Sequence, residues 1–254
     1  AVQPGSRWPK MWWSCFGPLA YLPVHAACSH EGDSVLDRVL LSYTPTLGCL
    51  LRSRNRPLPA GGTPLVAAGA AENVGYQLPR AHRVLAQYWP SAEIVSSSHA
   101  SGSELVRVLP RHPWWHACEP STQYPARPAA GVVLDRGAEQ QSLGLVGLGH
   151  VPLEQAEFCY LGNCATKPGV PTAAAVSVPA ALCFAGYTHV IGTLWAVDED
   201  TSVAALDQVY REVFDGDEPD TDGAARAVHA AARALRDEAP RAPARWAAQV
   251  HVGW

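Results

Sequence analysis

Apolar positions in this chain fall into short dense runs separated by longer stretches with helical spacing. Residues 158–162 read FCYLG, large sheet-favouring side chains bounded by acid upstream and a polar turn downstream, and predict a strand. An Ala-rich segment over 173–185 predicts a helix closed by Gly186, and residues 189–194 predict a second apolar strand. Strand, helix and strand in about thirty residues make a βαβ unit. Its two strands are expected to lie parallel in one sheet, joined by a right-handed crossover.

The same patterning predicts strands at 65–68, 92–95, 114–118 and 132–134, and helices at 78–88 and 104–109. Near the start, residues 11–21 read as a short strand and a turn at Gly17-Pro18, and residues 46–51 begin a helix. Beyond residue 200, Val203, Leu206, Val209, Tyr210 and Val213 recur three or four apart and predict an amphipathic helix capped by Asp198 or Asp200. A second helix is expected over 223–238, with Ala227, Val228, Ala231 and Leu235 inward, stopped by Pro240 and Pro243. A short strand within 245–254 is expected to close the domain. The basic, Pro/Gly-rich stretch 52–63 predicts a boundary between an N-terminal portion, 1–63, and a core, 64–254; one continuous domain over 10–254 is the alternative. The fold class is α/β, with a mostly parallel central sheet flanked by helices.

Composition narrows the function classes. The 254 residues suffice for a substantial core, and 17% charged residues is low. The formal charge of −4 and the absence of a basic stripe give no reason to expect nucleic acid. No apolar run reaches the length of a membrane-spanning helix, and no signal peptide is visible. Seven cysteines, an odd number without close pairs, suit a reducing interior and a cytoplasmic location. No CxxC supports zinc, and no cofactor is expected.

In open α/β sheets, ligands gather at the C-terminal ends of the strands. Cys164 and the loop 195–200 lie at such ends. Taken alone, Cys164 reads either as a nucleophile or as a small buried hydrophobe. Asp198, Glu199 and Asp200 can line a pocket for a basic peptide side chain, or cap the following helix. Trp195 reads as a pocket wall or as a core residue. Cys118 and Cys159, inside strands, are expected in the core.

Four segments, in order, resemble the CHAT family of caspase-like domains, related distantly to caspases and separase. They are GPLAYLPVHAA near the N-terminus, WWHACEP at 114–120, YLGNCAT around Cys164, and HVIGTLWAVDED ending at Asp200. The resemblance spans roughly residues 12–254. It implies a caspase-like three-layer fold with Cys164 at the nucleophile position. It also implies, for an active member, an oxyanion hole from the backbone N–H of Cys164 and that of Gly162 or of the turn near the first strand, with Asn163 in place of a small residue.

One departure matters for activity. Setting Ala117 and Cys118 on the family's Ala-Cys puts Glu119 where the catalytic His belongs, and Pro120 replaces the Gly after it. A carboxylate near Cys164 raises the thiol pKa instead of generating thiolate. His116 is the nearby imidazole available as a substitute base. In a regular strand, three residues apart means opposite faces, so His116 takes the place of Glu119 only through a bulge or an early loop. His112, His150 and His189 are weaker candidates; His189 opens its strand, at the wrong end for the site.

Two functions follow. The favoured one is a degenerate member acting as a protein-binding or regulatory module, holding a peptide or a repeat-containing region of this or another chain. The alternative is a cysteine endopeptidase using Cys164 with a non-standard base such as His116.

Overall fold

The computed structural model describes residues 8–15, 19–20, 22–30, 33–57, 61–68, 78–96, 106–120, 131–133, 142–144, 153–163, 174–195, 197–214, 216 and 219–254. Among these, an eight-stranded sheet runs in the order β1 (Lys10–Trp13), β2 (Leu40–Tyr43), β10 (Gln249–Gly253), β9 (His189–Thr193), β8 (Phe158–Asn163), β5 (Trp114–Pro120), β3 (Leu65–Ala68) and β4 (Glu93–Ser96). Every neighbouring pair is parallel except β9 and β10. Strands from both sides of the 52–63 connection therefore share one sheet. A separate antiparallel pair, β6 (Gly131–Val133) and β7 (Ser142–Gly144), contains the predicted strand near 132 and a partner with no clear apolar run.

The βαβ unit forms as its pattern predicts. β8 and β9 are parallel, paired Phe158 to His189 through Tyr160 to Ile191, and α3 (Ala174–Ala185) connects them. Gly186 closes α3 at φ +137°, where its N–H donates to the Leu182 carbonyl. A Cβ there would lie 2.6 Å from the Leu153 carbonyl, so both backbone conformation and space require glycine.

Alternation along the strands feeds two cores. Trp115, Ala117, Cys159, Leu161 and Val190 face one side, where Val178 and Leu182 of α3 pack. Phe158, Tyr160 and Ile191 face the other, against α2 (Leu78–Tyr88), α4 (Glu199–Phe214) and α5 (Ala224–Glu238). A strand buried on both faces reads as a near-continuous apolar run, which is why FCYLG lacks polar alternation. α1 (Leu47–Arg54) begins at Thr46, whose side chain accepts the Cys49 N–H. A short helix, α6 (Pro243–Trp246), precedes β10 within the stretch expected to be strand; Pro243 at its first turn starts this helix instead of only ending α5. Among the described residues, no helix is long and apolar enough to cross a membrane.

Candidate functional site at the C-terminal edge of the sheet

β5, β8 and β9 end at the same edge of the sheet, where α4 begins. Ser202, in the first turn of α4, donates its hydroxyl to the Gly162 carbonyl at 3.2 Å and ties the helix start to the end of β8. This is the edge at which the sequence places the candidate site. Cys164 lies outside the described residues, as do the side chains of Cys118, Glu119, Pro120 and Asn163. The backbone of Asn163 ends β8 opposite Pro120.

The pairing of β5 with β8 slips near its end. Ala117 faces Leu161, but Pro120 faces Asn163, so three steps on β5 match two on β8. This is the irregularity that the strand count required before His116 and Glu119 could share a face.

His116 itself is built into the core. It is 1% exposed and lies parallel to Tyr160, with ring centroids 5.0 Å apart and planes 9° apart. Its Nδ1 is 2.9 Å from the hydroxyl of Tyr210 on α4. Burial pushes the imidazole down to about 3, so it is neutral at physiological pH. Its Nε2 points toward the end of β8: a Cβ on Gly162 would lie 3.0 Å from it.

The acidic residues divide. Asp198 caps α4: its Oδ1 accepts the Thr201 N–H at 2.9 Å and its Oδ2 accepts the Thr201 hydroxyl at 2.8 Å. The Thr201 N–H chiefly, with Arg245 adding, holds the Asp198 carboxyl below its usual range. Asp200 reaches Arg80 of α2 at 2.5 Å, and Glu199 lies 3.9 Å from the same guanidinium. Trp195 donates its indole N–H to the Ala244 carbonyl at 2.7 Å and packs against two core clusters, which anchors the loop to α6. Among the described residues, no group of three His, Cys, Asp or Glu can hold a metal ion.

Of the other histidines, His112 donates its Nδ1–H to the Thr63 carbonyl at 2.8 Å, and His189 sits at the opposite sheet edge, 3.2 Å from His251 and 3.4 Å from Asp222. His150 lies outside the described residues. Tyr160, Tyr210, Ser202 and Arg80 shape the site without having been singled out from the sequence. Tyr210 carried a signal, as an inward position of its helix; the others depend on which elements the sheet order brings together.

A family profile described as the CHAT domain matches residues 2–254. Two crystal structures of the Saccharomyces cerevisiae separase–securin complex contain a similar fold. One, at 3.0 Å resolution, matches with 14% identity and a TM-score of 0.60, over 92% of this chain and 14% of that chain. The other, at 2.6 Å, matches with 16% identity and a TM-score of 0.55, over 92% and 15%. No curated protein matches. The chain thus spans about a seventh of the separase chains' length.

Proposed function

The chain belongs to the CHAT domain family, and from that premise we propose that it is a degenerate caspase-like domain that holds a peptide or protein partner in its cleft without cutting it. The observation that carries this reading is the setting of His116. The imidazole is buried, neutral and clasped between Tyr160 and Tyr210, so it has neither the freedom nor the basicity of a general base. The resemblance of WWHACEP to the family motif sets Glu119 at the catalytic position, and a carboxylate there would disfavour the Cys164 thiolate.

The partner is a peptide with a basic side chain, or a repeat-containing regulatory region of this or another chain. Glu199 and Asp200 stand in the first turn of the helix that Ser202 ties to the strand end, and their pairing with the Arg80 guanidinium supports a preference for a basic side chain. The separase structures are complexes with a protein, securin, which suits this fold as a platform for protein partners. We read residues 10–254 as one unit, because strands from both sides of the 52–63 connection share a sheet. The cysteines at 15, 28, 49 and 183 are free thiols, which suits a reducing, cytoplasmic setting.

A second reading, a cysteine endopeptidase using Cys164 and His116, draws on the slipped register of β5 and on the direction of His116 Nε2. A library of peptides containing Arg or Lys, offered to the wild type and to Cys164→Ala, separates the two. The module binds peptides equally in both forms and cleaves none. Cleavage that disappears in Cys164→Ala overturns it.

A further inference from the structure

Three residues that each carry a buried, unpartnered polar atom line a cavity that the candidate site does not use. The cavity lies where the 3-10 turn Val24–Ala26, β2, α5 and β10 meet, with His25, Tyr43, His229, Ala232 and Gln249 among its walls. It leaves ≈ 10 Å³ of room for the centre of a water-sized sphere. About 10–15 Å³ by this measure holds one water molecule, provided two to four polar groups line the space. His25 Nε2, His229 Nε2 and Gln249 Oε1 are each buried and have no hydrogen-bond partner among the described residues. Buried polar groups are almost always paired, so three around one small space call for a shared partner.

The remaining atoms of these side chains fix what that partner must offer. Gln249 donates its Nε2 to the Tyr160 hydroxyl at 2.6 Å, which leaves the carbonyl Oε1 as an unpaired acceptor on a residue of the cavity wall. His25 Nδ1 lies 3.0 Å from the Tyr43 hydroxyl. The one hydroxyl proton has two acceptors in reach, this nitrogen and the Leu22 carbonyl at 3.5 Å; given to the nearer nitrogen, it leaves the imidazole proton on Nε2, a donor, and the Ala247 carbonyl is nearby but closes no direct bond with it. Burial first, then the mutual repulsion of the two rings, holds His25 down to about 4, and burial holds His229 there too, so both rings are neutral. His229 protonated on Nδ1 presents Nε2 as a second acceptor. One donor and two acceptors are the complement of a water molecule. A cation fits poorly, because among the described residues no carboxylate lines the cavity to balance its charge.

We propose that one ordered water molecule occupies this cavity, accepting from His25 Nε2 and donating to Gln249 Oε1 and His229 Nε2. It joins the N-terminal turn, α5 and the closing strand at one point, where no direct hydrogen bond among the three side chains does so.

Two measurements test this on the whole chain. A crystal structure at atomic resolution is expected to show one density peak within hydrogen-bonding distance of all three atoms, as well ordered as the side chains around it. A dry cavity, or a peak with anomalous metal signal, overturns the proposal. Oxygen-17 magnetic relaxation dispersion counts long-lived internal waters in solution. His229→Phe keeps a ring against Trp8, which lies 4.9 Å from His229, but removes one acceptor. The folded variant is expected to lose about one long-lived water relative to the wild type; an unchanged count contradicts the proposal. Should the variant fail to fold, the wild-type density decides alone.

Discussion

Gly162 and His116 meet across neighbouring strands so closely that a Cβ on Gly162 would lie 3.0 Å from His116 Nε2 and 3.3 Å from the Ala117 carbonyl. The imidazole cannot yield easily, since Tyr160 stacks on it and Tyr210 holds its other nitrogen. Gly162→Ala is therefore expected to destabilise the fold by about 1–3 kcal/mol, the usual penalty for overpacking a filled core. Urea unfolding checks the stability, and the His116 ring resonances should shift in the same variant. Unchanged stability and resonances would mean that the two residues do not constrain each other.

Tyr210→Phe removes the hydroxyl that lies 2.9 Å from His116 Nδ1 at a site 1% exposed. Leaving that nitrogen unpaired is expected to cost about 1–3 kcal/mol. A double-mutant cycle with His116→Phe isolates the pair: Tyr210→Phe should cost much less once the imidazole is gone. Fully additive effects would show that the hydroxyl acts elsewhere.

Stability should fall on acidification earlier than in a protein without buried histidines. Burial holds His116 near 3 and His25 and His229 near 4, and pushes His251 well below its ordinary value. The unfolded chain takes up these protons as pH falls through about 6.5, while the folded chain resists until much lower. The stability they contribute is thus complete above that range and is lost toward pH 4, at about 1.4 kcal/mol per pH unit for each histidine. Asp37, Asp198 and Asp222, whose folded pKa values lie below 3.8, add a further loss as pH drops past that point. Calorimetry should give a level Tm above about pH 7 and a steep fall below about pH 6. A Tm unchanged down to pH 5 contradicts this. His116→Phe should make the slope shallower.

The acidic run should separate by mutation into a cap and a recognition surface. Asp198→Ala loses both hydrogen bonds to Thr201 and is expected to lower stability by about 0.5–2 kcal/mol. Asp200→Ala breaks a surface ion pair with Arg80 and should leave Tm almost unchanged, while weakening capture of Arg-containing peptides. Equal thermal effects, or unaltered peptide capture in Asp200→Ala, would remove the recognition role.

The strands and helices that organise the sheet were legible because each carries its own pattern. FCYLG and the 203–213 repeat appear as β8 and α4, and the predicted bounds 65–68 and 78–88 are those of β3 and α2. Sheet order was not legible: nothing local to Lys10–Trp13 or Gln249–Gly253 says that β1 and β2 extend the sheet beyond an antiparallel β10. The same limit applies to the site. Asp198 as a cap follows from residues next to it in sequence. The clasp on His116 joins residues 94 positions apart, and the slip in β5 is a relation between two strands. Such features arise from packing, which no single segment encodes.

Whether Cys164 is an activated nucleophile decides between a binding module and a peptidase. The most direct measurement is the pH dependence of its alkylation by a small electrophile, with Cys164→Ala reporting the background of the other six thiols. A non-catalytic module predicts slow reaction that accelerates only near or above the ordinary thiol pKa of about 8.5. A Cys164 that titrates well below that value, with loss of the low-pH reactivity in His116→Phe, would contradict the account and establish a working cysteine–imidazole pair.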